Sequence, residues 1–249
     1  MDLDLSGKVA LVTGGSRGIG KGIAAAFVAS GAKVMISSRN VESCEAACKE
    51  IGEGADFEAG HIGRDEDRDR VIDATISRLG GLDILVNNAA TNPYAGPTID
   101  VDRPRWDKTL EINLTAPLMW TQAAWQKIMQ DKGGVVLNIS SVGGLSTSPI
   151  LGTYDVTKAA LIHLTQQLAA ELGPKVRVNA IAPGLVKTDF ARTLWEGPGE
   201  ERAVKRYPLA RLGTPEDIAA AATFLTLLLV DSVAEIEGNL TGSPLVLTF

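Results

Sequence analysis

Tyr154 and Lys158 stand four residues apart in Thr153-Tyr-Asp-Val-Thr-Lys-Ala-Ala-Leu-Ile-His-Leu, whose run through Leu161, Leu164 and Leu168 has helical spacing. Residues four apart share a helix face, so this spacing sets an ammonium beside a phenol. A phenol ordinarily loses its proton near pH 10, and a neighbouring cation favours the phenolate. The pair is therefore a candidate proton donor with its tuner, although two exposed neighbours on a helix would read the same way. Ser141 lies thirteen residues before Tyr154, at the end of an apolar run, where a loop can return the tyrosine beside it. With 11 lysines and 3 tyrosines in the chain, a Tyr-to-Lys pair at this spacing is expected by chance only roughly 0.13 times.

A second group of residues follows the first apolar run. Thr13-Gly14-Gly15-Ser16-Arg17-Gly18-Ile19-Gly20 leads into Ile23, Ala24 and Phe27 at helical spacing, so a strand turns sharply into a helix. Glycines at 14, 18 and 20 let backbone amides approach a pyrophosphate at the helix N-terminus, with Ser16, Arg17 and Ile19 lining the turn. The glycine spacing alone is weak, expected roughly 0.3 times per chain of this composition, and its place after the first strand gives it meaning. The second strand ends Ser37-Ser38-Arg39-Asn40, where an acid would bind the ribose of NAD. No acid stands there; Arg39, with Arg17, offers guanidinium forks for a 2′-phosphate, which selects NADP. A solvated surface arginine is the plainer alternative. Asn88 and Ala89, after the fourth strand, put small and polar residues where backbone would pass a nucleotide.

These residues need a frame. Apolar, β-branched runs at 9–13, 33–37, 56–60, 84–87, 135–140, 176–181 and 245–247 alternate with helical patterns. Seven short strands of this kind predict an α/β protein with a parallel, doubly wound sheet, helices on both faces, and ligands beyond the carboxyl ends of the strands. A chain of 249 residues of this class is expected to fold as a single domain spanning 1–249. Thr214-Pro215-Glu216-Asp217 carries a cap, a proline and first-turn acids that start a helix. The irregular stretch at about 188–214 suits a lid over a site.

Composition narrows the partners. A net charge of −6 disfavours nucleic acid while allowing a local basic pocket for a small anion. The N-terminus lacks the basic and apolar pattern of a signal peptide, and the run from Ile218 to Val230 is too short to span a bilayer, so a cytoplasmic protein without membrane insertion is expected. Cys44 and Cys48 lack the companions of a zinc site, so no metal is expected.

Through Thr13-Gly14-xxx-Gly18-x-Gly20, Asn87-Asn88-Ala89, Asn113, Ser141, Tyr154-xxx-Lys158 and Pro183-Gly184, the chain resembles the short-chain dehydrogenase/reductase family over about residues 5–230. Within it the chain is most similar to 3-oxoacyl-carrier-protein reductases and related NADPH carbonyl reductases. The resemblance implies a Rossmann fold in which Tyr154 protonates a carbonyl oxygen, Ser141 hydrogen-bonds it, and Lys158 lowers the tyrosine pKa and holds the nicotinamide ribose. Asn113 would fix a water leading to solvent. Pro183, Gly184, Val186 and Thr188 would border the nicotinamide, and His61 and Ile62 would stand at the adenine, where many relatives have an aspartate in place of His61. Ala90 replaces a frequent glycine. The implied partners are a small-molecule carbonyl substrate, of which a carrier-protein or coenzyme A thioester is one form, and further copies of the chain in a homodimer or homotetramer, with a dimer face from the helices around Trp106 to Trp125 and Tyr154 to Leu172. The segment 227–249 departs from the family's usual ending. A nucleotide-binding scaffold or sensor without turnover remains the alternative from a different class.

Overall fold

A computed structural model describes residues 3–196, 204, 207, 209–227 and 246–248. The expected lid therefore lies partly outside the described residues, and the segment 227–249 almost wholly so. The strands are β1 (Val9–Thr13), β2 (Lys33–Ser37), β3 (Ala55–Phe57), β4 (Ile84–Asn87), β5 (Gly134–Ile139) and β6 (Val176–Ala182), with a three-residue β7 (Val246–Thr248) beside β6. All pair in parallel in the order β3-β2-β1-β4-β5-β6-β7. Six strands thus make up the continuous frame, and the seventh adds only three paired residues, Val246 to Thr248, at its edge.

The helices are α1 (Gly18–Ala29), α2 (Val41–Ile51), α3 (Asp65–Leu79), α4 (Arg103–Leu110), α5 (Ala116–Ala124), α6 (Gln130–Lys132), α7 (Gly152–Leu172), α8 (Arg192–Trp195) and α9 (Pro215–Leu227). Alternation along each strand divides the sheet into two packed faces. Ala10, Val12, Val34, Ile36, Val86 and Leu137 meet Ile23 and Phe27 of α1 and Ile218 and Ala222 of α9. Leu11, Met35, Leu85 and Val136 meet Val71 and Ile72 of α3, Trp120 of α5 and Leu168 of α7. The layers are those of a Rossmann-like α/β fold, and among the described residues no helix is long and apolar enough to cross a membrane.

Two local departures from the sequence expectation have clear causes. β3 ends at Phe57 rather than Gly60, although Glu58 and Gly60 still donate backbone bonds to Ile36 and Ser38. It is a sheet edge, and its acids Asp56 and Glu58 are tied to Arg78 and Arg70 of α3, charge that discourages pairing with another chain. The expected long helix around Trp106 to Trp125 is interrupted by π turns at Glu111–Thr115 and Trp125–Met129. The start of α9 is as expected: the Asp217 carboxylate accepts from the Thr214 amide at 2.8 Å and is gripped by Arg211, which holds its pKa down at about 2.

Candidate active site

The glycine turn is shaped from below by β4. The Thr13 hydroxyl donates to the Val86 carbonyl and accepts from the amides of Asn88 and Ala89. Asn88 Nδ2 donates to the carbonyls of Thr13 and Gly14 at 2.9 and 3.2 Å, so this asparagine fixes the loop's path. Gly14 and Gly18 adopt positive φ, +66° and +54°. A Cβ at Gly20 would stand 2.4 Å from the Gly14 carbonyl oxygen, which is why the helix can begin so close to the strand end. Arg17, at the N-cap of α1, makes no side-chain cap, and no acid occupies the first turn. The uncapped amides and the helix dipole are left to an anion, so these residues fit the pyrophosphate of a dinucleotide.

Beyond β2 and β3 lies a cavity of about 350 Å³ lined by Arg39, Ala59, Gly60, His61, Arg64, Asp67 and Arg70. Arg70 is bound to Glu58 and Asp67, whereas Arg39 and Arg64 hold no ion pair among the described residues. His61 Nδ1 accepts from the Gly63 amide, which leaves Nε2 to carry the proton. Burial lowers its pKa, and the nearby Lys108, Arg64 and Arg39 lower it further. Arg39 and Arg64 thus line one cavity, and Arg17 is exposed at the N-cap of α1. Asn40 caps α2 by accepting from Ser43, the Ser38 carbonyl accepts from Gly60, and the Ile62 carbonyl accepts from Trp120 Nε1. These three hold the walls of the cavity.

Farther along the carboxyl edge of the sheet, α7 brings Tyr154 and Lys158 against the loop that follows β5. Ser141 Oγ accepts from the Gly143 amide at 3.1 Å, and Ser141 stands close enough to Tyr154 for a hydrogen bond between them to lower the phenol's pKa. Lys158, 2 % exposed, donates from Nζ to the Ile139 carbonyl at 2.7 Å and lies 5.5 Å from the Tyr154 ring centroid. Burial pushes the lysine amine down to about 7. It pushes the phenol up to about 12, and the Ser141 hydrogen bond opposes this only in part.

Asn113 is fully buried in the first π turn. Its Oδ1 accepts from the Thr91 amide at 2.8 Å, and its Nδ2 donates to the Thr91 carbonyl and to Thr157 Oγ1. It therefore ties the segment after β4 to α7 one residue before Lys158. Pro183 accepts at its carbonyl from the Val142 amide, joining the end of β6 to the Ser141 loop. Gly184 is half-buried, Val186 is buried and bridges to Gly213, and Thr188 caps the 189–191 turn. A Cβ on Gly18 would meet Thr188 Cγ2 at 3.3 Å, so this segment lies on the glycine turn. Phe190, half-exposed, stands 6.1 Å from Tyr154, centroid to centroid. Lys205 and Arg206, basic members expected in the lid, lie outside the described residues.

Three contributors escaped the sequence reading. Arg64 carried one signal, a basic residue at the N-cap of α3 where Ser or Asp is usual. Thr13 has no signal beyond its place in the motif. The pressing of Gly143-Gly144 on α7 is a tertiary contact that only the consecutive glycines hinted at.

Residues 14–234 match the family model described as enoyl-(acyl carrier protein) reductase. Dehydrogenase/reductase SDR family member 4 of Homo sapiens is 43 % identical over 226 residues, covering 89 % of this chain and 81 % of that protein, and the Mus musculus protein of that name is 44 % identical over the same shares. Among solved structures, a short-chain type dehydrogenase/reductase from Mycobacterium ulcerans superposes with a TM-score of 0.88 at 34 % identity, covering 98 % of this chain and 89 % of that one. The actinorhodin polyketide ketoreductase with NADPH gives 0.86 at 28 %, covering 97 % and 95 %. With the glycine turn, the serine, the tyrosine and the lysine set along the carboxyl edge of one parallel sheet, these likenesses make the chain an oxidoreductase of the short-chain dehydrogenase/reductase family.

Proposed function

We propose that this enzyme reduces a ketone to a secondary alcohol with NADPH, and that one domain carries both the cofactor and the substrate. The observation that carries the reading is the convergence of Ser141, Tyr154 and Lys158 at the same carboxyl edge of the sheet as the glycine turn. The cofactor, when bound, supplies a hydride to the carbonyl carbon. Gly14, Gly18 and Gly20 with the α1 amides would hold its phosphates, Arg39 and Arg64 the 2′-phosphate, and Pro183, Gly184, Val186 and Thr188 the nicotinamide end.

The protein's own chemistry is proton transfer and charge stabilisation. Tyr154 Oη gives its proton to the carbonyl oxygen as the hydride adds to carbon, so the ketone gains both and the phenolate remains. A phenol held near 12 stays protonated at neutral pH, as a donor must. Ser141, with its oxygen already accepting from Gly143, turns its proton to the same carbonyl oxygen as negative charge grows there. Lys158, near half-ionisation at neutral pH, can return a proton toward the phenolate, and Asn113 holds that face of α7 in place.

A 3-oxoacyl thioester is the substrate class favoured by the acyl-carrier description of the family model and by the similarity to a polyketide ketoreductase. Half-exposed Phe190 and Leu194 beside the site suit an apolar chain. A homodimer or homotetramer is proposed through α7 and the broken helix at 103–132.

Tyr154→Phe removes the donor and little volume. Loss of kcat for NADPH-dependent ketone reduction by about 100-fold or more is expected, with cofactor affinity retained; a near wild-type rate would overturn the mechanism. A spectrophotometric screen of 3-oxoacyl thioesters against small ketones would test the substrate.

A further inference from the structure

Ser140 stands between Ile139, whose carbonyl accepts from Lys158 Nζ at 2.7 Å, and Ser141. It is buried, 3 % exposed. Its amide donates to the Ile181 carbonyl of β6 at 2.7 Å, and its hydroxyl donates to the backbone carbonyl of Lys158 at 2.9 Å. A carbonyl inside a helix already accepts from the amide four residues on, so α7 does not need this second donor to stay helical. The bond instead joins strand to helix. Two residues earlier on the same face of β5, Asn138 Nδ2 donates to Thr165 Oγ1 at 2.9 Å, about two turns further along α7, and both side chains are fully buried. Apolar packing between a strand and a helix is non-directional, whereas two directed bonds spaced along both elements fix their register. Gly144 presses on the same Lys158 carbonyl, whose oxygen lies 2.8 Å from where a Cβ would stand.

We propose that Ser140 is a positioning residue: its hydroxyl holds the turn of α7 that carries Tyr154 and Lys158 in register with Ser141 at the end of β5. The inference rests on the reading of Ser141, Tyr154 and Lys158 as one reacting site. Tyr154 and Lys158 share a helix, so a slide of α7 moves them together, while Ser141 stays with the strand. Ile139 and Ser140 grip the lysine at its amine and at its backbone carbonyl, and the next residue is the serine itself. Three successive residues thus set the lysine, the helix and the serine against one another. Without the Ser140 hydroxyl the Asn138–Thr165 bond still docks α7, but the reacting turn loses its own directed tie. The effect falls on the alignment of the reacting groups, where a shift of about 1 Å can cost up to about 100-fold in rate.

The test uses the full-length enzyme with NADPH and a ketone it reduces, with kcat expressed per cofactor site counted by fluorescence titration of bound NADPH, so that unfolded protein does not enter. Ser140→Ala removes the hydroxyl, and Ser140→Cys fills its space with a weak donor. Both should lower kcat per site by about 10-fold or more, with KM for the ketone little changed. Ser140→Thr, which keeps the hydroxyl, should be faster than Ser140→Cys, and the reverse order overturns the proposal. A kcat per site equal to wild type in the alanine and cysteine variants also overturns it, as does a loss confined to KM. Lys158→Met, run beside them, should be inactive. If it is active, the reading of the site fails and the inference with it; if it is inactive while the Ser140 variants are unimpaired, the role of Ser140 alone fails. Should neither the alanine nor the cysteine variant fold, the hydroxyl serves folding rather than the register of the reacting turn, and the proposal is overturned.

Discussion

Lys158 is buried, and its burial links stability to pH. The amine takes up a proton near 10.5 when solvated but only at about 7 in the folded protein. Between those values the unfolded chain binds more protons than the folded one, so stability rises with pH across that window and is least favoured below it. Lys158→Met should therefore abolish activity yet flatten the rise in urea midpoint between pH 7 and pH 10. Identical pH dependence in variant and wild type would show that the lysine is not desolvated as described. The identities of Ser141, Tyr154 and Lys158 were legible from spacing because a helix fixes which residues are neighbours. The burial of Asp155 was not, because it comes from the closing of Gly143, in the loop after β5, on α7.

Elements meet here through glycines and through irregular helix. Gly20 sits inside α1, where alanine would ordinarily be the better helix former by about 1 kcal/mol. Its Cβ would nevertheless meet the Gly14 carbonyl oxygen at 2.4 Å and Asn88 Nδ2 at 2.5 Å, atoms fixed by backbone and by the Asn88 hydrogen bonds. Gly20→Ala should thus destabilise the protein by about 1–3 kcal/mol, as overpacking does, and weaken dinucleotide binding. Urea denaturation and cofactor titration would check both, and a gain in stability would refute the crowding. The strand-to-helix turn was legible because glycine spacing at a strand end has few other uses. The π turn around Asn113 was not: Glu111-Ile-Asn-Leu-Thr reads as ordinary helix, and the Asn113 bonds to Thr91 and Thr157 are what accompany its widened turn.

Across the whole molecule the arginines near β2 and β3 and the tyrosine on α7 lie along the carboxyl edge of one sheet. Arg39 was legible from its place at the end of β2, but its partner was not: Arg64 reaches the same cavity from the start of α3, beyond the reach of a sequence pattern. Charge-assisted hydrogen bonds contribute about 1.5–3 kcal/mol each, so Arg39→Ala with Arg64→Ala should weaken NADPH by about 100-fold or more and NADH far less. Cofactor titration and the thermal shift given by each cofactor would measure this. Equal losses for both would refute the 2′-phosphate assignment.

The sequence by itself determined the order of strands and helices, the glycine turn and the types of the reacting groups, because periodicity and short spacings are properties of the local chain. It also determined that no acid follows β2, the single fact on which the cofactor reading began. Tertiary structure decided what each group experiences. It set Lys158 low by removing water from it, brought Arg64 to the cavity that Arg39 lines, and closed Gly143 on Asp155. Those outcomes depend on desolvation and on contacts between distant segments, which arise only when the sheet has brought the ends of its strands together.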